Sequence, residues 1–206
     1  MPGSEIVVGV TGASGAQLAR RFVEIALSAR VLTRLHLVFS EAALEVARNE
    51  LDPKIASGRD WVKLLRLSAG DESRIELHDD ARIGASIASG SYPAAGMIVI
   101  PCSAGTLGAI ANGISRGLLQ RAADVTLKER RPLVLAFRES PYSLIHIENM
   151  RRAAMAGATI APPIPAYYIE KPSLERLLDA YCVRAARLLG LDPGGGDFQW
   201  RGRRKK

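Results

Sequence analysis

The sequence predicts an α/β fold with a doubly wound parallel sheet, a three-layer sandwich of the Rossmann or flavodoxin-like kind. Short apolar runs alternate with helical stretches, which is the pattern of βαβ units. Right-handed crossovers between such units bring the carboxyl ends of the strands to one edge of the sheet. The predicted strands are Ile6–Val10, Leu35–Phe39, Arg74–His78, Met97–Ile100, Leu133–Phe137 and Thr159–Ala161. The predicted helices are Ala16–Ser28, Glu41–Asn49, Trp61–Leu67, Thr106–Arg116, Leu118–Glu129, Ile145–Ala156 and Ser173–Leu189.

The first unit joins the strand Ile6–Val10 to a helix through the turn Thr11–Ala16, with the sequence TGASGA. The glycines at positions 9, 12 and 15 match neither GxGxxG nor a Walker A loop. Backbone N–H groups and two hydroxyls at a helix N-terminus nevertheless suit a phosphate. A tight turn that needs glycines explains the same spacing equally well.

The end of the second strand distinguishes between nucleotide cofactors. A NAD-binding fold has an acidic residue there for the ribose hydroxyl, whereas in this chain Val38-Phe39 is followed by Ser40. A serine can bond a phosphate or a ribityl chain. The sequence therefore favours FMN over NAD.

The second half of the chain repeats this design. The apolar run Met97–Ile100 leads into the turn Cys102–Thr106, and Leu133–Phe137 ends in Arg138-Glu139. Ligands of open parallel sheets bind at such strand ends. Glu139 is then either half of a structural ion pair or a group that exchanges protons.

Three charged residues share one face of a predicted helix, since Arg121, Asp124 and Lys128 fall at i, i+3 and i+7. A surface ladder of ion pairs explains this spacing. The position of the helix between two ligand-type strand ends also favours a binding role.

Composition bounds the class of protein and its partners. A chain of 206 residues with 48% hydrophobic residues suits one catalytic domain, taken as residues 1–192, followed by a flexible basic tail, 193–206. The net charge is +7, and the tail holds five basic residues against Asp197. We interpret it as a solvated end and expect no nucleic-acid partner.

No apolar run is long enough for a bilayer and the N-terminus is unlike a signal peptide, so we expect no membrane partner and a cytoplasmic location. The two cysteines and three histidines are scattered along the sequence and predict no metal site.

Eight short stretches together resemble the UbiX-type flavin prenyltransferases, over roughly Ile6 to Leu191. They are TGASGA (11–16), FS (39–40), ASGS (88–91), PCSAGTL (101–107), RAADVTLKERRPLVL (121–135), RESPYS (138–143), ENM (148–150) and PAYY (165–168). The fifth of these is long and highly specific, which makes chance agreement across all eight untenable.

The resemblance implies a flavodoxin-like fold and a metal-independent enzyme. Enzymes of this family transfer a dimethylallyl group from dimethylallyl monophosphate, or the pyrophosphate, to N5 and C6 of reduced FMN. The product, prenylated FMN, serves a UbiD-type decarboxylase. Members are usually homododecamers with active sites at subunit junctions. Apolar residues beyond one face of the predicted helices Leu118–Glu129 and Ser173–Leu189 agree with a homo-oligomer.

The resemblance also implies a role for each matching residue. FMN would be held by Gly12, Ala13, Ser14, Ser40, Ser103, Ala104, Gly105, Thr106 and Arg138. The prenyl phosphate would be held by Ser89, Gly90, Ser91, Arg121, Lys128, Tyr168 and Arg184. The catalytic residues would be Glu139 as acid and base, Ser14 near flavin N5, Lys128, and Glu50, which would reach the site of a neighbouring subunit.

Two other functions are compatible with the same fold. FMN-dependent cysteine-type decarboxylases resemble the chain at the first turn, but they carry a PASANT turn and an active-site histidine. This chain has PCSAGT instead, and no histidine at a suitable strand end. A non-catalytic flavin carrier, or a subunit of a decarboxylase complex, would not need the set of Lys128, Glu139 and Tyr168.

Overall fold

The computed structural model describes residues 4–194 and Phe198. Six parallel strands form one sheet in the order β3-β2-β1-β4-β5-β6, which confirms the predicted fold class. The strands are β1 Ser4–Val10, β2 Leu32–Phe39, β3 Ile75–Asp79, β4 Gly96–Cys102, β5 Leu133–Phe137 and β6 Thr159–Ile160. The helices are α1 Ala16–Ser28, α2 Glu41–Glu50, α3 Gly58–Lys63, α4 Ala69–Glu72, α5 Ala104–Ala111, α6 Leu118–Lys128, α7 Leu144–Met155 and α8 Leu174–Leu188, with a 3₁₀ turn at Ser86–Ala88.

The two faces of the sheet bury two separate layers of helices, because successive strand residues point to opposite sides. Val8 and Leu37 belong to a core shared with α1, α2, α3 and α8. Val7 and Val38 belong to the core beneath α5, α6 and α7. The first layer is called here the α1 face and the second the α6 face.

Two predicted helices differ from the structure by more than one residue at each end. The helix expected at Thr106–Arg116 begins at Ala104 and ends at Ala111, because Gly113 takes a left-handed backbone with φ of 66°. The helix expected at Trp61–Leu67 begins at Gly58, where the Ser57 hydroxyl accepts from the Asp60 N–H at 3.2 Å, and ends at Lys63. The short α4 was not predicted at all.

The exposed apolar residues lie only partly on the two helices that the sequence suggested. In α8, Leu174 and Leu188 are exposed, at 67% and 38%. The apolar residues of α6 are buried except Leu127, which is partly buried, so this helix offers no broad exposed apolar face. In α7, Leu144, Ile145 and Met155 are each more than two-thirds exposed, at 80%, 71% and 74%. The 164–174 region adds Ile164, Tyr167 and Leu174. These exposed apolar residues can support association.

The predicted tail, 193–206, is described only at Pro193, Gly194 and Phe198. Phe198 is not simply solvated, since its carbonyl accepts a hydrogen bond from the Tyr168 hydroxyl at 3.3 Å. The charged residues of the tail lie outside the described residues, so its solvated character stays a prediction. Between residues 4 and 194, none of the helices is long and apolar enough to cross a membrane.

Candidate functional site

The order of the strands reverses between β1 and β4, and the loops that follow these two strands are joined by one side chain. The Thr11 hydroxyl donates to the Pro101 carbonyl at 2.7 Å and accepts from the Ser103 N–H at 2.8 Å. Thr11 is 2% exposed. The reversal point of an open α/β sheet is where ligands bind, so this threonine fixes the two walls of a crevice.

The N-terminus of α1 receives a carboxylate from a distant part of the chain. Gly15 has φ of 122°, a left-handed backbone that favours glycine, and no side chain of α1 caps the helix. Glu50 at the end of α2 accepts instead from the N–H groups of Gly15 and Ala16, at 2.9 and 2.8 Å. Glu50 therefore contacts the first turn of its own chain, and the expectation that it also reaches a neighbouring subunit's site stays a prediction.

Glu50 is held as a carboxylate in this position. Burial opposes its ionisation, but the Ser14 side chain, the N–H groups of Gly15 and Ala16 and the charge of Arg138 outweigh burial and lower the pKa of Glu50. Because two N–H groups of α1 are occupied by this anion, a phosphate at the same place would meet a negative charge. The predicted phosphate cradle at this turn is thus already filled by a side chain.

Close packing brings Ser40 to the same edge of the sheet. A side chain at Gly12 would lie 2.4 Å from the Ala42 Cβ, so only glycine lets the first turn approach α2. Ser40 caps α2 by accepting from the Ala43 N–H at 3.2 Å, and its own N–H donates to the Val10 carbonyl at 3.0 Å. The predicted FMN contacts in these two segments are therefore neighbours in space.

The N-terminus of α5 offers the donors that α1 does not. The Ser103 hydroxyl accepts from the Thr106 N–H at 3.4 Å and donates to the Thr106 hydroxyl at 3.1 Å. The N–H groups of Ala104 and Gly105 lie in the first turn, where a helix provides no partner of its own. Open space adjoins Gly105, since an added Cβ would meet no atom within 4 Å. This helix end suits an anionic group such as a phosphate.

The end of β5 places Arg138 and Glu139 beside these turns. The Arg138 N–H donates to the Cys102 carbonyl at 3.1 Å, and its Nε donates to the Ser14 carbonyl at 3.0 Å. Glu139 is partly exposed and accepts from the Ser140 N–H at 3.0 Å. Arg138 makes no ion pair with Glu139 among the described residues. Glu139 therefore lacks the ion pair with Arg138 that a purely structural role would require.

Five of the seven residues predicted to hold the prenyl phosphate form a second group, away from this edge. The hydroxyls of Ser89 and Ser91 are 2.8 Å apart, and a side chain at Gly90 would collide with Lys128 and Glu129. Lys128 ends α6 and forms an ion pair with Glu129. The predicted ladder of ion pairs is thus only partly present. Arg121 pairs with Asp124 at 2.7 Å, whereas Lys128 pairs with Glu129, which is not part of the predicted ladder. Arg121 also donates to the Ala88 carbonyl at 3.2 Å.

This second group lies toward the amino ends of the strands. Lys128 comes shortly before β5 begins at Leu133, whereas Glu139 follows its end at Phe137. At about 3.3 Å per residue, β5 alone separates the two ends by about 13 Å. The structure therefore brings the predicted FMN residues together with Glu139 and Glu50, and it brings Ser89–Ser91 together with Lys128, but it does not bring the two groups to one place within a chain.

The two remaining predicted phosphate ligands lie elsewhere. Arg184 is exposed on α8, which packs on α1 through a contact of the Cys182 thiol with the Leu18 carbonyl at 3.7 Å. It is thus on the α1 face, across the sheet from Lys128. Tyr168 is 47% exposed in the loop before α8 and contacts Phe198. The seven predicted ligands come from separate surfaces of one chain.

The thiols and histidines near the crevice have structural roles. Complete burial raises the pKa of Cys102 to about 12, so it is a neutral thiol rather than a nucleophile. His146 sits in the capping box of α7 with Ser143. His146 therefore has a local contact at the start of α7.

The sequence interpretation missed Arg131. Its guanidinium donates to the carbonyls of Gly90 and Tyr92 at 2.7 and 2.6 Å, and so fixes the Ser89–Ser91 loop on α6. The only signal was its place in the basic run that precedes β5. The histidines were also wrongly treated as isolated, because His36 and His78 are in direct contact.

A parallel doubly wound sheet with hydroxyls, a free helix N-terminus and an arginine at its reversal point defines a flavoprotein-like α/β protein. The Flavoprotein family model matches residues 1–179. The flavin prenyltransferase UbiX of Alkalihalophilus pseudofirmus is 41% identical over 188 residues, which are 91% of this chain and 92% of the relative. The chain therefore belongs to the flavoprotein family and, within it, to the UbiX-type flavin prenyltransferases.

Solved structures agree with this assignment. The crystal structure of AnUbiX (PadA1) in complex with FMN and dimethylallyl pyrophosphate has a TM-score of 0.82 and 40% identity, covering 98% of this chain and 100% of that chain. A dodecameric FMN-dependent UbiX-like decarboxylase from Escherichia coli O157:H7 has a TM-score of 0.82 and 36% identity, covering 97% of this chain and 100% of that chain. Both similarities extend over the two groups of residues described above.

Proposed function

We propose that this protein is a flavin prenyltransferase that joins a dimethylallyl group to N5 and C6 of reduced FMN. The observation that carries the proposal is the convergence of Ser14, the α5 N-terminus, Arg138 and Glu139 at the reversal point of the sheet. The UbiX relatives, and the AnUbiX structure with FMN and dimethylallyl pyrophosphate, support the choice of substrates. The product would serve a UbiD-type decarboxylase.

The residues at the carboxyl edge fit FMN. The N–H groups of Ala104 and Gly105 would receive its phosphate, with Thr106 and Arg138 beside them and Ser40 across the crevice. Reduced FMN supplies nucleophilic ring positions when it is bound. The chain has no acidic residue at the end of β2 that would favour NAD.

Glu139 is the group that can move protons at this edge. It is accessible, it is not neutralised by Arg138, and it follows a buried strand that fixes its backbone. In the proposed reaction it gives a proton to the departing phosphate and takes one from the acceptor nitrogen. Lys128 and the arginines bind the phosphate and stabilise the charge that develops as the carbon–oxygen bond breaks.

A complete site needs more than one chain. Lys128 with Ser89–Ser91 lies on the α6 face toward the amino ends of the strands, and Arg184 lies on the α1 face. We infer that neighbouring subunits bring these cations to the carboxyl edge of another copy. Exposed apolar residues of α7 and the 164–174 region support such an assembly, and the dodecameric relative supports its size. The cytoplasmic location expected from the sequence remains a prediction.

The activity is tested by mixing the protein anaerobically with reduced FMN and dimethylallyl monophosphate, and in a second arm with the pyrophosphate. The flavin is then extracted and weighed by mass spectrometry. A gain of one C5 unit in either arm supports the proposal, and the more productive arm identifies the donor. Unmodified flavin in both arms contradicts it and leaves a flavin carrier or a decarboxylase. Boiled protein is the control.

A further inference from the structure

A cluster of nitrogen and oxygen donors lies on the α6 face of β2 and β3, at the side of the sheet opposite β5 and β6. His36 and Glu76 are paired across the two strands, and His78 is two residues beyond Glu76 on the same face. The His36 Nδ1 lies 2.9 Å from the His78 Nε2. The Glu76 carboxylate lies 3.6 Å from the His78 Nε2 and 3.8 Å from the His36 Nδ1. One ligand atom from each of these three residues lies within 4.8 Å of the others.

The hydrogen bonds around His36 fix which of its ring nitrogens carries the proton. Its Nε2 faces the Glu5 carboxylate at 3.1 Å and the Tyr92 hydroxyl at 3.0 Å. The Tyr92 hydroxyl itself donates to Glu5. A carboxylate can only accept, so the His36 proton stays on Nε2 and the lone pair of Nδ1 points at His78. A carboxylate behind an imidazole is the usual support of a metal-binding histidine.

Glu76 is oriented in a comparable way. Its Oε2 accepts from Arg34 at 2.7 Å, whereas its Oε1 is the atom nearest His78. Oε2 is thus held by the arginine while it lies 3.8 Å from the His36 Nδ1, and Oε1 is directed toward His78. A cavity of about 490 Å³ adjoins Glu76 and His78, and its lining also includes Asp79, Arg82 and Ser86. Water from this cavity can reach the cluster.

We propose that His36, Glu76 and His78 form a zinc-binding site that is separate from the flavin edge. A tetrahedral zinc with bonds of about 2.0–2.1 Å places its ligand atoms roughly 3.3 Å apart. The two ring nitrogens are 2.9 Å apart, Glu76 Oε1 is 3.6 Å from the His78 Nε2, and Glu76 Oε2 is 3.8 Å from the His36 Nδ1. A small rotation of the carboxylate and of the two rings is therefore needed to bring one oxygen and both nitrogens to that spacing. Two imidazoles and one carboxylate favour zinc over magnesium or calcium, which prefer oxygen ligands.

Binding requires one proton to change position but none to be lost from the protein. In the hydrogen bond between the imidazoles, His78 donates from Nε2 to the lone pair of His36. Zinc takes both nitrogen lone pairs, and the His78 proton moves through water to Nδ1 of the same ring. Water from the cavity completes the fourth position. The site would tie the edge strand β3 to β2, which makes it a structural site.

The site is tested with the FMN-loaded protein after treatment with a chelator. Equilibrium dialysis against Zn²⁺ at neutral pH, followed by elemental analysis, gives the zinc bound per chain, without interference from flavin absorbance. We expect one zinc per chain and a rise in Tm on binding. His78→Ala should lose this zinc and the rise in Tm. Glu5→Gln should weaken binding about 10- to 100-fold, because it removes the support of His36.

The matched control is His146→Ala, which removes a histidine outside the cluster and should keep wild-type zinc binding. Glu76→Gln replaces His78→Ala as the decisive variant if the latter fails to fold by circular dichroism. Wild-type protein that binds no zinc overturns the proposal. So does zinc that remains in folded His78→Ala, since it would then be bound elsewhere. Both results are independent of prenyl transfer.

Discussion

Glu50 and Glu139 both lie at the carboxyl edge of the sheet, but their contacts differ. We therefore expect different roles for the two carboxylates. Glu50 is fixed by two backbone N–H groups and its pKa is lowered, so it is an anion that caps α1. Glu139 has one short local contact and is free to meet a ligand. The first is expected to act mainly on stability and the second on the chemical step.

Glu139→Gln should keep FMN and the donor bound but slow prenyl transfer by about 10²–10⁴, because an amide cannot exchange the proton. Single-turnover mass analysis of the flavin measures the chemical step without product release. Glu148→Gln is the matched control, since Glu148 is an exposed carboxylate on α7 that pairs with Arg151 and Arg152. A wild-type rate in Glu139→Gln would make this carboxylate only a structural group.

Glu50→Gln should lower stability at pH 7 by about 1 kcal/mol, the usual cost of losing a helix cap. Because the pKa of Glu50 is lowered in the folded protein, its carboxylate stabilises the fold at pH values above 4.5, the ordinary pKa of this group. This contribution is lost as the pH falls below 4.5 and through the folded-state pKa. Urea unfolding at pH 7 and at pH 3.5 should therefore show the gap between the two proteins closing at the lower pH. An equal gap at both values contradicts the capping role.

At the scale of elements, the sequence was informative where structure is local. Apolar runs identified all six strands and placed the ends of β1, β2 and β5 at the observed residues, because a buried parallel strand and the turn after it are adjacent in sequence. The contacts of Glu50 with α1 and of His36 with His78 were missed. They depend on strand order and helix placement, which residues 34 to 42 positions apart do not reveal. The turn residues of α5 were assigned correctly, but its end was placed too late because the left-handed Gly113 was not recognised.

Helix α6 and the loop that it holds form the element on which donor binding should depend. Lys128→Ala should raise the KM for the dimethylallyl donor and lower kcat, since it removes a phosphate charge. FMN affinity should not change, because Lys128, which a neighbouring subunit would bring to this edge, is assigned to the donor phosphate and not to FMN. Lys63→Ala, on the exposed side of α3, is the control. A loss of FMN binding in Lys128→Ala, with an unchanged KM for the donor, would reverse the assignment of the two groups.

At the scale of the whole molecule, the two groups of site residues impose a requirement on assembly. A single chain presents the flavin residues at one edge of its sheet and Lys128 toward the other. The apolar surface that could join copies lies on α7 and the 164–174 region. Sequence patterns suggested an oligomer and named α6 and α8 for its surface. Only α8 carries exposed apolar residues, because amphipathic periodicity in α6 does not say which side the sheet covers.

Mixed assemblies test this requirement directly. Glu139→Gln and Lys128→Ala chains, dissociated and reassembled together, should recover roughly a quarter of wild-type activity, since random pairing leaves that share of sites with both residues intact. Prenylated FMN is the readout. Glu139→Gln mixed with Ser14→Ala should recover nothing, because those residues lie at the same edge of one chain. No recovery in the first mixture, with assembly verified by light scattering, would place the whole site within one chain.

The opposed placement of Lys128 and Glu139 also has a genetic consequence. A chain with substitutions at both edges inactivates two sites. One is the site whose flavin crevice it forms, and the other is the neighbouring site to which it contributes Lys128. In a cell that makes intact and damaged chains together, intact sites then fall with the square of the intact fraction rather than in proportion to it. Such an allele would be partly dominant over the wild type, even though the damaged protein has no harmful activity of its own.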